Sequence, residues 1–152
     1  MIKHSETRSS KYSSDKMFDL VADIENYPDF IPWCSNALIT SRLEKKEDDT
    51  EVLMADMSIS FKIFRESFSS RVTLYPLSKE ITVEYIDGPF KFLSNRWIFT
   101  SSNDGCIINF NVEFEFKSRM MQSLIGLVFQ EAMRRIVHSF EERADRLYKQ
   151  LS

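Results

Sequence analysis

Residues 119–149 read RMMQSLIGLVFQEAMRRIVHSFEERADRLYK, a stretch with no proline and one glycine, Gly126. At 1.5 Å per residue, a helix over this stretch runs about 45 Å. Its second half is ordinarily amphipathic. Ile136, Phe140, Ala144 and Leu147 or Tyr148 make one stripe, and Arg134, Glu141, Glu142, Asp145 and Arg146 make the solvated side. The first half differs. Met120, Met121, Leu124, Ile125, Leu127, Val128, Phe129, Ala132 and Met133 cover more than one face. A helix apolar nearly all round needs cover on more than one side. Deep burial, a roof over a lipid-sized cavity, or an apolar patch for a membrane or partner would each meet that need, and they are not exclusive.

The cover lies upstream. From residue 35 to 117 the pattern is strand-like. Leu53, Ala55, Met57, Ile59 and Phe61 alternate on one face of a strand over 52–61. Phe64, Phe68, Val72 and Leu74 do so over 64–75, and Ile108, Phe110, Val112, Phe114 and Phe116 over 107–116. Further strands are predicted over 37–46, 81–85 and 92–100, and 2–9 suits an opening strand. Glu47-Asp48-Asp49, Asp87-Gly88-Pro89 and Ser101 to Gly105 supply turns. Ser13 or Ser14 caps a helix whose face is Met17, Phe18, Leu20, Val21 and Ile24. Asn26-Tyr27-Pro28 is expected to break it, and a short turn over 29–31 follows before Pro32. The fold class predicted is α+β: a curved antiparallel sheet of six to seven strands around a long C-terminal helix, with two short helices after the first strand. A sheet of this size curls, and its inner face needs a cover. The 152 residues fit a single domain, 1–152.

The bulk numbers bound function. Thirteen Phe and seven Met provide either a phenylalanine-rich core or an apolar cavity with adaptable walls. A net charge of −3 is a poor footprint for binding phosphate backbones non-specifically, so DNA is not expected as a partner. It leaves room for one particular ribosomal surface. Cys34 and Cys106 make no disulfide framework, and no apolar run approaches the ~18 residues of a membrane span. The N-terminal ten residues lack the apolar core of a secretion signal. A reducing, cytoplasmic setting is expected, at most peripheral to the inner membrane.

Catalytic groups are sparse. His4 and His138 are the only histidines, and neither has the spacing of a Ser-His-Asp or Cys-His arrangement. No cluster suggests a metal, and no glycine-rich loop suggests a phosphate site. Glu113 and Glu115 share a strand face opposite Phe114 and Phe116, which points them to solvent. Cys34, beside Pro32 and Trp33, suits a buried small residue better than a reactive thiol.

The stretch Val21-Ala22-Asp23-Ile24-Glu25-Asn26-Tyr27-Pro28-Asp29-Phe30-Ile31-Pro32-Trp33-Cys34 closely resembles the N-terminal signature of the coenzyme Q-binding, START-like family. That family includes mitochondrial coenzyme Q-binding proteins and bacterial ribosome-association toxin homologues. The resemblance continues at Gly88-Pro89-Phe90, Arg96-Trp97-Ile98-Phe99, Val128-Phe129 and Phe140 to Ala144. It implies the helix-grip fold and a deep cavity for ubiquinone or another prenyl lipid, held as a bound ligand with no other cofactor. A carrier or chaperone role in respiratory electron transport and ubiquinone biosynthesis follows, with transient contact at a membrane surface. The alternative is a toxin-like protein that binds the large ribosomal subunit and blocks subunit joining. A cyclase-type enzyme would need a pocket acid or base. The lining expected is Tyr27, Phe30, Pro32, Trp33, Phe92, Trp97, Phe114, Leu124, Val128, Phe129 and Met133, each equally at home in a plain core. Arg96 is the polar residue expected near a headgroup.

Overall fold

Alternation of apolar and polar side chains turns most of the chain into one sheet. In the computed structural model, which describes residues 1–61 and 64–149, the strands are β1 (Ile2–Ser10), β2 (Cys34–Lys45), β3 (Glu51–Phe61), β4 (Phe64–Tyr75), β5 (Glu80–Asp87), β6 (Phe90–Ser102) and β7 (Gly105–Phe116). All pairings are antiparallel, in the order β1-β7-β6-β5-β4-β3-β2. The first strand therefore closes on the last. Thr7 and Ser5 of β1 donate hydrogen bonds to Asn109 and Asn111 of β7, on the outer face.

Bulges bend this sheet. Three register shifts separate β2 from β3, one interrupts β4 against β5 at Ser69/Ser70, and one interrupts β6 against β7 at Phe90/Phe92. Each extra residue kinks its strand and adds twist, which curls the sheet. The edge strand β2 ends in exposed Arg42, Glu44 and Lys45, charges that discourage pairing with another chain.

Two short helices follow β1. In α1 (Ser14–Ala22), Ser13 is the cap, its hydroxyl accepting from the Lys16 amide. The α-helix breaks at Asp23, earlier than the expected Asn26-Tyr27-Pro28, and leaves Ile24 outside it. A 3-10 helix runs over Ile24–Asp29 with Pro28 inside it. Its i to i+3 bonding tolerates the proline, and Tyr27 O accepts from both Phe30 and Ile31 beyond it. The strand after it starts at Cys34, earlier than residue 37.

The long helix α2 (Arg119–Tyr148) is capped by Ser118, which accepts from the Met121 amide. Its second half drives Phe140 and Ala144 into a core with Met17, Val21, Leu53, Trp97 and Cys106. Its first half meets a second cluster, built on Phe64, Phe90, Phe114, Phe116 and Phe129. With Phe61 and Phe68 packed against it, seven of the thirteen phenylalanines gather at one end of the molecule. The tail of α2 is tied to β1 by Arg8–Glu141 at 2.7 Å, and to the residue beyond β1 by Tyr12–Asp145 at 2.5 Å.

Two predictions follow from this packing. Gly105 opens β7 at φ +147°, and a Cβ there would stand 2.0 Å from the Ser10 carbonyl oxygen. Gly105→Ala should cost at least about 2 kcal/mol in urea unfolding. An unchanged midpoint would contradict the tight crossing. The second concerns pH. The Tyr12 hydrogen bond, with Lys11 and Lys149 nearby, holds the Asp145 carboxyl below its ordinary range. The folded state thus favours its charged form. That contribution is whole above the unfolded Asp value of about 3.9 and is lost as pH falls through the lower folded value. Asp145→Asn should weaken hydrogen-exchange protection of the last turn of α2 near neutral pH. The difference from the parent should vanish at more acid pH.

Candidate functional site

On α2, Met121, Ile125, Phe129, Met133 and Ile136 recur at intervals of four and three, so they share the face turned to the sheet. Opposite them, β7 presents Val112, Phe114 and Phe116, β6 presents Phe90 and Leu93, and β4 presents Phe64 and Phe68. β3 adds Ile59 and Phe61, and Trp33 closes the side. Between these walls lies a cavity of about 190 Å³ to which the described residues present no polar atom. Its rings pack largely edge to face: Phe114 on Phe129 with centroids 5.1 Å apart, Phe64 on Phe116 at 5.5 Å, and Trp33 on Phe61 at 4.9 Å. Trp33 reaches this position with φ at 69°, the left-handed region that costs a bulky residue about 1–3 kcal/mol. The packing of its indole holds it there.

A second, larger cavity of about 450 Å³ lies between β1 and the second half of α2. Its floor is apolar, with Met17, Val21, Trp97, Ile108, Phe110 and Phe140. Its mouth is polar, and the groups there are already paired. Arg8 holds Glu141, and Tyr12 and Lys11 hold Asp145. His4 stands between the two cavities. Its ring packs 6.1 Å from Phe110, which lines the larger, and 5.8 Å from Phe129, which lines the smaller. Its Nε2 lies 3.0 Å from Glu6.

Of the residues expected at a binding site, Trp33, Phe114, Val128, Phe129 and Met133 come together around the apolar cavity. Tyr27 and Phe30 instead pack on Phe140, with centroids at 5.6 and 5.4 Å, and Trp97 joins that cluster at 5.2 Å. Phe30 and Pro32 line a shallow groove beside α2. Three expectations are corrected. Phe92 is 40% exposed and faces away from α2. It lies five residues from inward-facing Trp97, an odd separation that puts the two on opposite faces, and the bulge at Phe90/Phe92 turns Phe90 inward in its place. Arg96 adjoins Trp97 and so also faces out, where it pairs with Glu80 at 2.5 Å. Leu124 is 47% exposed and points outward from α2.

The alternating faces of β3, β4 and β7 already carried Ile59, Phe61, Phe64, Phe68, Val112 and Phe116. Leu93, four residues before Trp97, follows the alternation of β6, whereas Phe90 depends on the bulge and leaves no periodic signal.

Titratable groups here are built into the packing. Burial pushes the thiols of Cys34 and Cys106 up, which keeps them protonated and unreactive. Burial also raises the Tyr27 phenol, with Cys34 and Asp23 adding to it, and its hydroxyl donates to the Val21 carbonyl. Glu113 and Glu115 lie away from the apolar cavity and pair with Lys3, Lys91 and the N-terminal amine.

The chain resembles proteins of known name. It is 34% identical over 98% of its length to the whole of the "Ribosome association toxin RatA" of Rickettsia prowazekii. It is 32% identical over 97% of its length to the mitochondrial "Coenzyme Q-binding protein COQ10 homolog B" of Xenopus laevis, of which it spans 59%. Among solved structures, the 18 kDa protein CC1736 of Caulobacter crescentus superposes with a TM-score of 0.83 at 29% identity, covering 99% of this chain and 100% of that one. A START superfamily protein of Mycobacterium smegmatis, at 19% identity, shares the fold with a TM-score of 0.75 over 95% and 98% of the two chains. The family model described as "Polyketide cyclase / dehydrase and lipid transport" matches residues 10–141. The chain is a member of that family, with the START-like α+β fold of a curved seven-stranded sheet around a C-terminal helix.

Proposed function

We propose that this protein binds ubiquinone or a similar prenylated lipid by its tail, in the apolar cavity beneath the first half of α2. In this role it serves as a carrier supporting respiratory electron transport and ubiquinone biosynthesis. The observation that carries this reading is the cavity wall itself: phenylalanine, aliphatic side chains, one thioether and one indole, with no polar atom presented by the described residues. Each CH₂ moved from water into such a wall gains about 0.8 kcal/mol, so a prenyl tail is held by length rather than by any single contact. The larger cavity suits a tail less well, because its mouth is ringed by ion pairs that a tail would desolvate.

The apolar cavity is smaller than the roughly 300–1,000 Å³ of drug-sized ligand pockets. A long tail therefore enters only as α2 moves outward, or leaves its far end emerging at the mouth. Met133, with three rotatable bonds, is a part of the wall that accommodates such a change, and Met121 packs against the same phenylalanine cluster. Binding rather than catalysis fits the lining, since none of the described residues that line the cavity carries an acid or base; Glu66, on the same face of β4 as Phe64 and Phe68, is not among them. The coenzyme Q-binding relative supports the ligand class.

A second reading rests on a different observation. The ribosome-association toxin relative matches over its whole length, and a role in blocking ribosomal subunit joining follows from it. Sucrose-gradient profiles separate the two. Normal subunit joining at saturating protein argues against the ribosomal role, and loss of 70S particles supports it.

The quinone reading is tested on delipidated protein carrying Trp97→Phe, with Trp33 as the fluorophore. A short-tailed ubiquinone should quench it saturably, and absence of saturable quenching sinks the reading. Val128→Asp places a charge against the tail on a partly exposed helix position. Affinity should fall about tenfold or more, with the thermal melt near that of the parent.

A further inference from the structure

The first half of α2 has a second apolar face. Met120, Leu124 and Leu127 are 70%, 47% and 83% exposed, and their spacing of four and three puts them on one outward stripe. Leu124 lies one turn before Val128, whose side chain lines the apolar cavity. Apolar surface is thus continuous from the cavity wall, around the helix, to the outside.

Charge around this stripe has one dominant sign. Between residues 117 and 135 there are four cations, Lys117, Arg119, Arg134 and Arg135, against a single anion, Glu131, in a chain whose net charge is −3. Lys117 and Arg119 are exposed and form no ion pair with any described residue. On β7, the strand that leads into α2, Glu113 and Glu115 are neutralised by Lys3, Lys91 and the N-terminal amine.

We propose that this face of α2 docks on an anionic lipid bilayer, with Met120, Leu124 and Leu127 entering the headgroup boundary and Lys117 and Arg119 meeting lipid phosphates. The inference rests on the quinone-carrier reading, since a carrier of an insoluble lipid must load from a bilayer. An apolar stripe bordered by cations is the pattern of a helix lying in a membrane interface, and lipid charge attracts each such cation. Nucleic-acid phosphate would use the cations but leave three large apolar side chains in water. The helix lies on the membrane and does not cross it, because no helix among the described residues is long and apolar enough to span.

The test is co-sedimentation with sucrose-loaded vesicles of phosphatidylcholine alone or mixed with phosphatidylglycerol. Two variants accompany the parent: Met120→Gln/Leu124→Gln/Leu127→Gln, and Lys117→Glu/Arg119→Glu. All five side chains are exposed, so both variants should keep the parent's thermal melt. The parent should pellet with the mixed vesicles only, and high salt should release it. Each variant should lower partitioning at least about tenfold while quenching by a short-tailed quinone persists. Equal pelleting of parent and variants overturns the proposal. So does binding to large ribosomal subunits with none to vesicles. Quinone binding without vesicle binding overturns docking alone, whereas vesicle binding without quinone binding supports the docking face and sinks the carrier reading.

Discussion

The packing of one long helix into the concave face of one curled sheet is the constraint on which the rest of the structure depends. A helix of thirty residues, Arg119–Tyr148, presents more apolar surface than a flat sheet can cover. The bulges in β2, β4/β5 and β6 bend the sheet so that it meets α2 along its length. Closing β1 onto β7 completes the grip, and Arg8 and Tyr12 fasten the tail of α2 beside that seam.

The two halves of the helix then diverge. The second half is clamped by rings, with Phe140 among Tyr27, Phe30 and Trp97, and it borders the larger, polar-mouthed cavity towards β1. The first half packs against large rings that meet edge to face and leave space between them. Aromatic rings hold their shape, so a wall of phenylalanines keeps a gap that leucines would fill. Methionines on the helix side supply the adaptable part. One half therefore carries the clamp and a cavity with a polar mouth, and the other a cavity with an apolar wall.

The architecture was legible in the sequence because it rests on periodicity. Alternation placed Ile108 to Phe116 on one face of β7, and the uninterrupted stretch after Ser118 required a long helix. The site was legible only in part. Phe114 followed from the alternation of β7, while Phe129 and Met133 rested on the family resemblance; all three sit on the cavity wall. Placing Phe92 and Arg96 at the site runs against strict alternation, which sets both on the face opposite Trp97; only the inward turn of Phe90 rests on a bulge, which leaves no mark in composition. Leu124 belongs to an apolar run covering two faces, and sequence cannot say which face a sheet will take. The signature from Val21 to Cys34 serves mostly to clamp α2, through Tyr27 and Phe30 on Phe140, and only Trp33 reaches the cavity.

The central claim is that an apolar tail occupies the cavity under the first half of α2 rather than the larger one beside β1. The methionines distinguish them, since Met133 lines the first and Met17 the second. The direct measurement is a methyl-resolved NMR titration of methionine-labelled protein with a prenylated quinone. The account predicts that the Met133 methyl shifts and shows contacts to prenyl protons while Met17 stays unchanged. Shifts and contacts at Met17 with Met133 unmoved would contradict it.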